Sequence, residues 1–156
     1  MKINWRRLLL CLLIPLAVGG LSAFLTRNQM DIFTTLNKPP LTPPAWVFPV
    51  VWTVLYLLMG YASYRISQAL KPTGYKNKTL ILYGVTLFFN FVWSPLFFSL
   101  RNFGVAFVWL VILWGLVLWL CIRTYRIDRV AFWCFVPYLI WLTFAGYLNL
   151  TIYLTN

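Results

Sequence analysis

Five stretches of the chain, residues 8–25, 46–66, 79–100, 103–122 and 131–153, run for about 20 residues each and carry no charge apart from Arg65. That is the length an α-helix needs to cross roughly 30 Å of hydrocarbon at 1.5 Å per residue. None of them alternates in polarity as the strands of a membrane β-barrel do. Because 62% of the 156 residues are apolar, a soluble domain of this size has no room to bury them. The chain is therefore predicted to be an all-α integral membrane protein, a single domain over residues 1–156 that spans the bilayer as a five-helix bundle, with a loop at 26–45 after the first span. Lys2, Arg6 and Arg7 before an apolar run imitate the start of a signal peptide. The run of 18 residues exceeds the usual signal core, so it is read as the first span.

The net charge of +11 invites a nucleic-acid reading, but the cations sit in short connections between spans. With the N-terminus inside, Lys2, Arg6, Arg7, Arg65, Lys71, Lys76, Lys78, Arg123, Arg126 and Arg129 lie on the inner side. Only Arg27, Lys38 and Arg101 lie outside. By the positive-inside rule this predicts an N-in, C-out topology in a bilayer, and no basic region stands free of the membrane to hold nucleic acid.

What is missing limits the chemistry. There is no histidine, and the two acids, Asp31 and Asp128, fall on opposite sides of the predicted membrane. Paired-carboxylate catalysis and an intramembrane proton relay are thus excluded. Cys11, Cys121 and Cys134 have no metal or redox spacing and read as small apolar packing residues; no metal site and no cofactor is implied. Binding is the expected role.

The entrance to the second span points to a binding site. Pro39, Pro40, Pro43 and Pro44 fix φ and remove backbone donors, so residues 37–45 are expected to form a stiff, extended cover. Below that cover, Trp46, Phe48 and Trp52 fall in the outer half of the second span. Asn90 falls near the midplane of the third, with Trp93, Ser94 and Pro95 above it, and Pro95 withholds a hydrogen bond from the Phe91 carbonyl and kinks the helix there. Trp141, Ala145 and Asn149 recur at i, i+4 and i+8 and make one stripe on the fifth span. All three groups converge on the half-membrane under the proline-rich loop. Trp109, Trp114 and Trp119 recur every five residues instead, which spreads them around the fourth helix in packing or lipid-facing roles. Gly19 to Ala23 and Gly84 offer small surfaces for helix packing or dimerisation.

These pieces together resemble the TspO/MBR family of translocator and tryptophan-rich sensory proteins. The matching residues are Lys38-Pro39, Pro43-Pro44-Ala45-Trp46-Val47-Phe48-Pro49, Val51-Trp52-Thr53-Val54-Leu55-Tyr56, Asn90-Phe91-Val92-Trp93-Ser94-Pro95 and Pro137-Tyr138-Leu139-Ile140-Trp141-Leu142-Thr143-Phe144-Ala145, in family order. The resemblance implies a bacterial-type member in the cytoplasmic membrane, a homodimer, and a pocket for porphyrins and isoquinoline-carboxamide ligands. It implies pocket residues at Trp52, Asn90, Trp93, Ser94, Trp141 and Ala145, with Pro43, Pro44 and Trp46 in the cover. Ile32-Phe33 stands where members often carry a Trp-Tyr pair, and Tyr153 lacks the following base of the family's sterol motif.

Two functions from different classes follow as expectations. One is a membrane receptor or carrier for a flat tetrapyrrole such as protoporphyrin IX, stacked on Trp52 and Trp141 and oriented by Asn90. The other is light- and oxygen-dependent breakdown of the bound porphyrin, with Trp52 and Trp141 as the catalytic residues. A small structural subunit with its interior filled by side chains is the third possibility.

Overall fold

The computed structural model describes residues 2–28 and 40–156. Asp31, Ile32-Phe33, Lys38 and Pro39 lie outside the described residues. The described residues form five long helices and no strand: α1 (Trp5–Thr26), α2 (Val47–Gln68), α3 (Thr73–Ser94), α4 (Phe103–Tyr125) and α5 (Arg129–Thr155). Each is long and apolar enough to cross a membrane.

The helix ends follow local chemistry. Asn4, Asn102 and Asp128 cap α1, α4 and α5, accepting the N–H groups of Arg7, Val105 and Val130. At the C-terminal end of α2, the Lys76 ammonium donates to the Ser67 and Ala69 carbonyls at 3.3 and 3.0 Å, supplying a cation where the helix dipole is negative. Pro95 does not stop α3. It widens the chain into one π-helical turn, Pro95–Ser99, closed by Leu100 N–H on the Pro95 carbonyl at 2.9 Å. Arg101 then takes a left-handed φ of 51° to turn the chain into α4.

In space the helices form a closed ring in the order α1, α2, α5, α4, α3. One half of the ring is filled. Met59 and Ile66 of α2, Tyr83 of α3, Leu113 and Leu120 of α4, and Phe135 and Tyr138 of α5 are all buried there. The same end holds most of the cations and is tied together by them: Arg123 Nε donates to Thr79 Oγ1 at 3.0 Å and Arg65 Nη2 to Asp128 Oδ1 at 3.2 Å. Asn4 N–H donates to the Tyr64 hydroxyl at 3.0 Å, which brings the start of α1 to that end as well. Arg65, foremost, and the Val130 N–H hold the Asp128 carboxyl below the ordinary carboxylate range. Leu10, Phe88 and Ile140 are exposed on the bundle's outside, as lipid-facing side chains are.

Helix α1 joins the ring through carbonyls freed by proline. Pro15 brings no N–H to the Cys11 carbonyl, and that oxygen faces Gly60 of α2 so closely that a Cβ there would lie 2.6 Å from it. Pro95 likewise frees the Phe91 carbonyl, which accepts the Ser22 hydroxyl of α1 at 3.4 Å. Gly84 of α3, by contrast, meets nothing within 4 Å.

Candidate functional site

The other half of the ring is hollow. A cavity of about 360 Å³ opens there, within the size range of small-molecule sites. Four helices wall it. From α2 come Phe48, Trp52 and Tyr56, one turn apart because α-helical spacing returns every fourth residue to the same face. From α3 come Asn90, Trp93 and Ser94, presented where Pro95 loosens the helix. Helix α5 brings Trp141, Ala145 and Asn149, the stripe read from the sequence.

Seven of the expected binding residues thus meet in one cavity: Phe48, Trp52, Asn90, Trp93, Ser94, Trp141 and Ala145. Pro43, Pro44 and Trp46 stand outside its wall; Trp46 is 67% exposed, while Ala45 and Pro49 form the rim. Sequence reasoning missed the fourth wall. Gly19, Ser22 and Ala23 of α1 face the cavity, and their spacing of three and four residues was the available signal. Tyr56 was also missed, although it lies one turn below Trp52.

The aromatic groups interlock. Trp52 stacks on Tyr56 with ring centroids 5.5 Å apart, and meets Trp141 edge-to-face at 6.4 Å. Phe48 meets Trp141 edge-on at 5.8 Å. Ring contacts of this kind are worth about 0.5–1.5 kcal/mol each beyond area burial, so the wall is preorganised before any ligand arrives.

Hydrogen bonding separates two kinds of polar residue. Trp93 Nε1 donates to Asn149 Oδ1 at 3.1 Å, and Asn149 Nδ2 donates to the Phe103 carbonyl at 2.9 Å. Both are committed to joining α3, α5 and α4. Asn90 Nδ2 makes a longer contact with the Tyr56 hydroxyl at 3.4 Å. The Trp141 indole N–H is buried and has no hydrogen-bond partner among the described residues. An unpaired donor in an apolar wall is costly, and a ligand acceptor would relieve it. Among the described residues no Asp, Glu, Lys or Arg lines the cavity, and the chemistry they offer is stacking, apolar contact and a few neutral hydrogen bonds.

The tryptophans of α4 serve packing as well as exposure. Trp109 stacks on Phe89 at 4.3 Å and donates to its carbonyl at 2.7 Å, and Trp114 donates to Thr143 Oγ1 at 2.9 Å. Trp119 is exposed.

Comparison with known proteins agrees with this architecture. The model of the TspO/MBR family matches residues 11–154. The tryptophan-rich protein TspO of Chlorobaculum tepidum is 36% identical over 154 residues, covering 96% of this chain and 95% of the relative. The tryptophan-rich sensory protein of Cereibacter sphaeroides is 39% identical over 117 residues, 75% of this chain and 72% of the relative. The translocator protein of Bos taurus is 35% identical over 148 residues, 92% of this chain and 86% of the relative.

Proposed function

The chain belongs to the TspO/MBR family, and from that footing we propose that it is a multi-pass membrane receptor or carrier for a flat, apolar tetrapyrrole such as protoporphyrin IX. Isoquinoline-carboxamide ligands would use the same cavity. The observation that carries the reading is the slot itself: Trp52, Tyr56, Phe48 and Trp141 form interlocked ring walls, and the Trp141 N–H, without a partner among the described residues, is free to donate to a ligand acceptor. A tetrapyrrole enters edge first, stacks on one of the two indoles and meets the other edge-on, because Trp52 and Trp141 stand 88° apart, and offers a ring nitrogen or substituent oxygen to Trp141 and Asn90. Its carboxylates remain at the open end, where Arg27 and Arg101 are the described cations. Gathering of the basic residues at the filled end supports the N-in, C-out orientation; a bacterial cytoplasmic membrane and a homodimer belong to the same proposal and rest on the family resemblance alone.

The mutual placement of Trp52 and Trp141 favours one further reading, light- and oxygen-dependent oxidation of the bound porphyrin. Photoexcited porphyrin and O2 supply the oxidising power, so no acid or base is required, and the two indoles are the oxidisable groups beside the ligand.

Titration of the detergent-purified protein with protoporphyrin IX in the dark tests binding through tryptophan quenching. Saturable quenching is expected, weakened in both Trp52→Phe and Trp141→Phe. Unchanged affinity in both variants would refute the site. Illumination of the complex then tests the chemistry: a new product spectrum lost in Trp52→Phe supports oxidation, whereas bleaching equal to that of free porphyrin leaves binding alone.

A further inference from the structure

The filled end of the bundle carries ten of the thirteen cations, and Asp128 is the one carboxylate there among the described residues. Three of the ten are engaged inside the fold: Arg65 with Asp128, Lys76 with the end of α2, and Arg123 with Thr79 and the Tyr75 carbonyl. At the turn between α4 and α5 the arrangement differs. The Arg129 guanidinium lies 5.3 Å from the Tyr125 ring centroid, Tyr125 meets Phe132 edge-on at 5.2 Å, and Phe132 meets Trp133 at 5.1 Å. Tyr125 is 48% and Trp133 64% exposed. Arg126 caps α4 beside them. Asp128, although between the two arginines in sequence, is turned to Arg65 and the Val130 N–H and so does not neutralise them.

We propose that the α4–α5 turn binds one anionic phospholipid, its phosphate diester held by Arg126 and Arg129 and its glycerol and first acyl carbons lying along Tyr125 and Trp133. The arginines select a phosphate because a guanidinium presents a fork of donors to its oxygens. Exposed aromatic rings at a helix end mark the headgroup level of a bilayer, so the observations favour a lipid over a soluble anion, for which Trp133 has no use. This site stands at the opposite end from the tetrapyrrole cavity, and its fate is independent of that reading.

The test places the full-length protein in nanodiscs containing brominated phosphatidylglycerol or brominated phosphatidylcholine at equal fraction and reads quenching of tryptophan fluorescence. Phosphatidylglycerol is expected to quench more, and that excess should vanish in Trp133→Phe. Its preference should fall by about fivefold for each arginine removed in Arg126→Gln and Arg129→Gln, and should persist in Lys71→Gln/Lys78→Gln, which share the end but not the site. Equal quenching by the two lipids overturns the proposal. So does an excess that survives loss of both arginines, that drops as far in the lysine variant, or that inorganic phosphate abolishes at an ionic strength at which sodium chloride leaves it intact. Should the arginine variants misfold, salt decides on the wild-type protein: an excess that high salt leaves intact refutes a phosphate contact.

Discussion

Alanine at Gly60 and alanine at Gly84 are the same chemical change, yet the structure gives them different fates. At Gly60 the new methyl would sit 2.6 Å from the Cys11 carbonyl oxygen and 2.7 Å from Leu12 Cα, both backbone atoms that cannot rotate away. Reaching ordinary contact requires α1 and α2 to part by roughly 0.8 Å. Such overpacking costs about 1–3 kcal/mol. At Gly84 nothing lies within 4 Å. Each substitution also gains helix propensity, about 1 kcal/mol. Because that gain is common to both, the difference between the two variants isolates the steric cost. Unfolding in mixed micelles as the denaturing detergent fraction is raised should therefore place Gly84→Ala at or above wild type and Gly60→Ala about 1–3 kcal/mol below Gly84→Ala. Gly60→Ala should also weaken porphyrin binding, since α1 forms one wall of the cavity. A separation below about 0.5 kcal/mol would refute the claim that α1 is seated by backbone contact.

Asn149→Leu removes two interhelical bonds and strands the Trp93 donor, and should destabilise by about 1–3 kcal/mol, given about 0.6–1.7 kcal/mol per bond in membranes. A double-mutant cycle with Trp93→Phe should show coupling; additive losses would deny the bond. The Asp128 carboxyl is held below its ordinary range by Arg65, so its contribution is complete above the unfolded value near 3.9 and is lost as pH falls through the lower folded value. Melting temperature against pH should accordingly fall in acid for wild type but stay flat, from a lower start, for Asp128→Asn. Arg101→Gly relieves a left-handed φ of 51° and should raise stability by up to about 1 kcal/mol, measured by the same unfolding titration.

The spans were legible because bilayer thickness imposes a length on every apolar run, and the half that holds the cavity was legible because Trp52, Asn90 and the Trp141 stripe each mark a depth. What stayed hidden depended on contacts between helices. Gly19, Ser22 and Ala23 read as packing residues, since smallness is the same signal whether the neighbour is a helix or a cavity. Nothing in the sequence tells that the Trp93 and Asn149 polar groups satisfy each other while Trp141 finds no partner among the described residues; that outcome depends on which side chains the ring order brings within 3.1 Å. The π-helical turn was foreseen only as a kink, because proline removes one bond whatever geometry the next turn adopts.

The α1 wall of the cavity is built from Gly19, Ser22 and Ala23, residues with almost no rotamers to change. Ser22 and Ala23 present side chains too short to turn aside, and Gly19 is covered by the Tyr56 ring that lies against it. For the proposed tetrapyrrole guest, a planar compound bearing an out-of-plane substituent is therefore expected to bind more weakly than its flat parent.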